Sequence, residues 1–191
     1  MGVAAQTRAM VRSGRDKLNG IVEVNESLVG GEHPGKRGRG AEGKTLVLIA
    51  AEEKQGRVGR IRLSPIHDAS SSVLTGIIME MVSVGSTIRT DGWSGYTDLS
   101  KQGYIHLPQS NHSIKDTDTI PLTHLVAALL KRWLLGTHQG RISHKNLPYY
   151  LDEFTFRFNR RTSHSRGKLF YRLVQQALEF DAVPAKSLIT I

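Results

Sequence analysis

Thr45 to Ala51 reads TLVLIAA, a nearly continuous apolar run. So short a run fits a central strand buried on both faces. Such a strand needs cover above and below, and the rest of the chain is patterned to give it. Ile21 to Val29 alternates, with Val22 and Val24 on one face and Glu23, Asn25 and Ser27 on the other. Past the Gln55-Gly56 turn signal, Val58 to Leu63 alternates apolar with basic residues, as an edge or half-buried strand does. Val73, Ile77, Ile78 and Met81 recur at helical spacing and predict a helix over 69–82. Thr87 to Thr90 is a short strand that runs into Asp91, Gly92 and Trp93.

From Pro121 the pattern turns helical. Leu122, Leu125, Val126, Leu129, Leu130, Trp133 and Leu134 fall at steps of three and four. Leu147, Tyr150, Leu151, Phe154 and Phe158 mark a second helix, with Pro148 tolerated in its first turn. Leu169, Leu173, Val174, Ala177 and Leu178 mark a third. Strand, strand, strand, helix, strand, then helices is the order of an α/β sheet flanked by helices, with a helical C-terminal extension. There is no internal repeat. Residues 1–20 read as a basic lead-in, 21–180 as one domain and 181–191 as a tail.

At 191 residues, with 39% hydrophobic and 23% charged, the chain has the balance of one soluble globular domain. No apolar run approaches the roughly 20 residues that span a bilayer, and the first 20 residues lack the apolar core of a secretory signal. The absence of cysteine excludes disulfides and thiolate zinc sites and makes a reducing cytoplasm the simplest home.

The net charge of +9 is concentrated. Between Lys131 and Arg172 lie ten Lys or Arg residues (Lys131, Arg132, Arg141, Lys145, Arg157, Arg160, Arg161, Arg166, Lys168 and Arg172) against only Asp152 and Glu153, so this stretch carries +8. A polyanion partner follows, because neutralised phosphates release condensed counterions. A solvated basic surface or affinity for anionic lipid is the plainer alternative.

Gly38 to Thr45, GRGAEGKT, matches the phosphate-loop pattern literally. That loop needs a strand before it and a helix after it. Here LVLIAA follows and the nearest strand ends near Val29, so a glycine-rich hairpin loop is the better reading.

Asp91 stands where a strand ends, well placed to hold a metal ion, although such a residue alone is more often a turn or helix N-cap residue. On the helix beginning near Leu122, His124 and Lys131 differ by about 20° in azimuth. Both point away from the apolar side, with Ala127 and Ala128 leaving the face open. An imidazole and an ammonium on one open face suit a metal ligand beside a phosphate contact, or merely solvent.

The ordered segments VEVNESLVGG, GRGAEGK, RTDGWSGY, LLKRWLLGTHQG and YYLDEFTFRFNRR resemble the motifs of DDE-superfamily insertion-sequence transposases. The closest branch has intact members with an N-terminal zinc ribbon and His at the third catalytic position. The similarity runs from about Ala9 to Leu188. It implies an RNase H-like mixed sheet, Mg2+ (or Mn2+) as cofactor, and cleavage and strand transfer at the ends of an insertion sequence. It aligns the catalytic positions with Asn25, Asp91, His124 and Lys131, of which Asn25, Asp91 and His124 are the metal positions. Lys131, Arg132, Arg141, Lys145, Arg157, Arg160, Arg161, Arg166 and Lys168 are the expected contacts to double-stranded DNA, at transposon ends and target. A homo-oligomer is compatible with this, and a membrane partner is not expected.

Two departures qualify the resemblance. Asn25 stands where the family has its first aspartate, so a neutral amide replaces a bridging carboxylate and weak or absent metal binding is expected. Glu23 and Glu26 are the only nearby carboxylates that could substitute, and Glu23 lies about 7 Å along the strand from Asn25. The short segment before Ala9 and the poor match over 105–120 add to the expectation of a truncated, catalytically impaired copy. The rival expectation is a non-catalytic DNA-binding remnant that occupies transposon ends or mixes with intact transposase.

Overall fold

The computed structural model describes residues 17–30, 44–109, 118–138 and 145–178. Five strands form one sheet: β1 (Ile21–Gly30), β2 (Lys44–Lys54), β3 (Arg57–Ile66), β4 (Thr87–Thr90) and β5 (Ile105–Pro108), in the order β3-β2-β1-β4-β5. β1, β2 and β3 form an antiparallel meander, whereas β4 pairs parallel to β1 and β5 parallel to β4. The sheet is therefore mixed, as the sequence led us to expect. Lys44 and Thr45, the end of the phosphate-loop match, lie in β2 opposite Gly30 and Val29, so no helix follows that loop.

Period-two alternation decides which layer covers which residue. Val22, Val24, Leu48 and Ala50 face α1 (Ser71–Met81), through Leu74 and Ile78, and a 3₁₀ segment over Ser94–Gln102, through Tyr96 and Leu99. Val29, Val47, Ile49 and Ala51 face α2 (Pro121–His138), through Val126 and Leu130, and α3 (Leu147–Asn159), through Leu151 and Phe154. β2 thus contributes to both cores, which is why its sequence is apolar on both parities. β3 is an edge strand, and it accepts Pro65 as edge strands do. A last helix, α4 (Arg166–Ala177), leaves Phe170, Tyr171 and Leu178 exposed and buries Gln176.

Three features escaped the sequence reading. β2 and β3 run on to Lys54 and Ile66 around a register shift between Ala51 and Glu53. Leu18, within the expected lead-in, is 1% exposed and bridges Val82 in the core. The 3₁₀ segment and β5 occupy a stretch without strong periodicity. The glycine-rich stretch 31–43, Arg141 and the tail 181–191 lie outside the described residues, as does the side chain of Arg166. No described helix is long and apolar enough to cross a membrane.

Candidate active site

The parallel pair β1 and β4 fixes the site. Glu23 is level with Arg89, the last pair of that register; Asn25 follows two residues later on β1, and Asp91 two residues later on the chain that leaves β4. Adjacent strands lie about 4.8 Å apart. Asp91 follows β4 directly, and its Oδ1 accepts the Trp93 N–H at 3.0 Å. Gly92 between them has φ +82°, a conformation that favours glycine and lets the chain turn off the strand. On β1, Asn25 shares the parity of Glu23, so both face α2.

His124 is in the first turns of α2 and comes directly to Asn25. Asn25 Nδ2 lies 3.3 Å from His124 Nε2, while Asn25 Oδ1 accepts the Glu26 N–H at 2.9 Å. On its other side, His124 Nδ1 is 2.8 and 2.9 Å from the two Asp118 oxygens. Asp118 Oδ1 also accepts the Ile120 N–H at 3.2 Å. Sequence reasoning missed Asp118. Its only sequence signal is an acid just ahead of a helix.

The two glutamates beside Asn25 are committed elsewhere. Glu23 is 1% exposed and its Oε2 accepts the Leu122 and Thr123 N–H groups at 2.8 and 3.2 Å, capping the start of α2. Arg89 reaches Glu23 at 3.8 Å and Glu53 at 2.7 Å. Burial pushes the Glu23 carboxyl above its ordinary value, opposed by the two N–H groups and by Arg89. Glu26 has the opposite parity, toward α1, and accepts the Tyr96 hydroxyl. Neither carboxylate takes the place that an aspartate at position 25 would hold.

Lys131 stands two turns further along α2 than His124, about 10 Å along the axis. Burial of its stem lowers its pKa, and the Lys44 ammonium at the start of β2 lowers it further. Of the other expected DNA contacts, Arg132, Lys145 and Lys168 are exposed. Arg157 pairs with Glu153 at 2.7 Å. Arg160 stacks on the Phe156 ring at 4.0 Å. Arg161 stacks on Phe158 at 4.1 Å and donates to the Gly59 carbonyl at 3.1 Å and to the Val58 carbonyl. Beside it, Asn159 donates to the Ile61 carbonyl at 2.9 Å and accepts the Ile61 N–H at 2.7 Å. The NRR end of the YYLDEFTFRFNRR segment therefore grips edge strand β3.

The donor set at the strand ends does not fit magnesium, which demands a near-octahedral shell of oxygens. Position 25 offers a neutral amide whose oxygen is already engaged, and His124 offers a nitrogen that faces an amide donor. Asp118 turns its oxygens to His124 and Ile120, which leaves Asp91 as the one carboxylate of the three aligned metal positions. Among the described residues, no group of three or more His, Asp or Glu side chains is arranged to hold a metal ion.

Residues 17–159 match the model of a family, the ISXO2-like transposase domain. Similar solved structures include the catalytic core domain of BIV integrase, at 11% identity and a TM-score of 0.47, with 84% of this chain and 98% of that chain covered. The Mos1 transposase paired-end complex with left transposon end aligns at 14% identity and a TM-score of 0.48, covering 93% of this chain and 59% of that one. A pre-cleavage Mos1 transpososome aligns at 14% identity and 0.44, covering 94% and 63%. The chain thus spans less than two thirds of either Mos1 chain. No curated protein matches it.

Proposed function

The chain belongs to the ISXO2-like transposase domain family, and from that premise we propose that it is a DDE-type transposase domain that engages insertion-sequence DNA but does not cut it. The observation that carries the reading is the side chain of Asn25. It stands on β1 two residues beyond the last pair with β4, faces α2, and spends its amide on His124 and Glu26. An intact centre of this type uses two divalent ions to activate a nucleophile and stabilise the leaving oxygen. A neutral, hydrogen-bonded amide supplies neither the charge nor the open oxygen for that arrangement. His124 takes the third catalytic position in this reading, as in the histidine branch of the family.

DNA engagement rests on the basic second half of the chain, +8 between Lys131 and Arg172. Lys131, with the Lys44 ammonium near enough to lower its pKa, is assigned to a DNA phosphate. The bound chain would occupy transposon ends, or dilute an intact transposase by mixing with it.

The test is a nicking assay on duplex DNA carrying the ends that flank this gene, with Mg2+ or Mn2+, run beside a gel-shift titration. The expected result is salt-sensitive binding by the natural chain with no strand cleavage. Asn25→Asp should tighten divalent-ion binding, read by calorimetry, while leaving the gel shift unchanged. Metal-dependent nicking by the natural chain that Asp91→Ala abolishes would overturn the reading, and so would absence of DNA binding at low salt.

A further inference from the structure

We infer that Asp118 is a positioning residue that holds His124 with its proton on Nδ1, and that Asn25 caps the Nε2 lone pair this leaves. The inference rests on the reading of His124 as the third site position. Each group in the series has one consistent role. The Asp118 carboxylate can only accept, so His124 Nδ1 is the donor across 2.8 to 2.9 Å. In the neutral ring Nε2 then carries the lone pair, and the group 3.3 Å away must donate to it. Asn25 is oriented to do so, because its oxygen is occupied by the Glu26 N–H and its NH2 is turned to the ring. Along the series Asp118, His124, Asn25, Glu26 N–H, each contact then has one donor and one acceptor.

This gives the substitution at position 25 a second effect beyond loss of charge. A carboxylate there has no N–H with which to fill the Nε2 lone pair. The amide instead fills it from within the fold and ties α2 to β1. Glu23, two residues earlier on the same face, makes the companion tie through the Leu122 and Thr123 N–H groups. Asp118 is no ligand in this arrangement. It acts through His124, as an outer carboxylate does on a metal-binding imidazole, by setting tautomer and ring orientation.

The test is ¹⁵N NMR of the His124 ring in the natural chain, Asp118→Ala and Asn25→Ala, at a pH where the ring is neutral, with Zn2+ as the added probe. In the natural chain the His124 proton should sit on Nδ1. Asp118→Ala should lose that preference, whereas Asn25→Ala should keep it and bind Zn2+ through Nε2 roughly two- to tenfold more tightly, the span of one net hydrogen bond. If Asp118→Ala does not fold, Asp118→Asn carries the same comparison, because it keeps an acceptor for the Ile120 N–H and loses the charge that strengthens the hold on Nδ1. A proton found on Nε2 of the natural chain would overturn the inference. So would a tautomer indifferent to Asp118, or a Zn2+ response at Nε2 equal with and without the Asn25 amide. None of these results bears on whether the chain cuts DNA, which the nicking assay reads separately.

Discussion

Burial pushes the carboxyls of Glu52 and Glu23 in the same upward direction, and their partners decide which way each one finally moves. Glu52 receives both Arg60 Nε and Nη2, at 3.0 and 2.8 Å, and the Asn19 N–H, and its pKa is lowered. Glu23 shares the more distant Arg89 with Glu53, and burial prevails, so its pKa is raised. The signs follow from linkage. Stability from Glu52 is present above the ordinary value of 4.5 and is lost as pH falls through its lowered pKa. Stability from Glu23 is full below 4.5 and is lost as pH rises through its raised pKa. Denaturant unfolding across pH should therefore show that Glu52→Gln flattens the acid-side loss, while Glu23→Gln flattens a loss that begins near 4.5 and continues upward. Identical pH profiles for the two variants would refute the contrast. At this scale the sequence disclosed the identity of Asn25 and His124 but not the Asp118 contact, six residues from its partner across a helix start. The capping role of Glu23 was equally hidden, because it joins residues about a hundred positions apart.

Elements were legible where they pack against something. β1, α1, α2 and α3 each carry a period of 2.0 or 3.6, and β2 is apolar throughout because a core lies on both of its faces. β5 gives no such signal: four residues ending in proline, with Ile105 and Leu107 exposed. The end of α3 was legible as a helix but not as a clamp on β3. An unpaired edge invites pairing with another chain, and Asn159 and Arg161 cover part of this one with side-chain bonds to Ile61, Gly59 and Val58. Asn159→Ala leaves a backbone N–H and a carbonyl without their amide, at a cost of about 1–3 kcal/mol. In a domain of this size that lowers the melting midpoint by about 2–4 °C per kcal/mol. Light scattering on the same samples should show earlier association. An unchanged midpoint would mean that water replaces the amide without loss.

Over the whole molecule, the excess positive charge of the second half divides between cations that hold the fold together and cations that face solvent, a division that composition cannot reveal. Arg161 reaches backbone carbonyls of β3 and stacks on Phe158, and Arg157 is paired with Glu153. Arg132 on α2 and Lys168 on α4 are exposed. If the chain engages duplex DNA, each phosphate contact removed should reduce the slope of log affinity against log salt by about 0.9. Replacing Arg132 and Lys168 together by alanine should then reduce that slope by up to about 1.8, with the melting midpoint held. Arg161→Ala should do the reverse, lowering the midpoint while the slope falls by less than one contact's share. Gel-shift titrations over a salt series, paired with thermal melts of the same preparations, separate the two classes. A slope that ignores the double substitution would locate the DNA elsewhere, on Lys131 and Lys44. That outcome would shift the binding face toward Asn25 and His124 without altering the chemistry of the site.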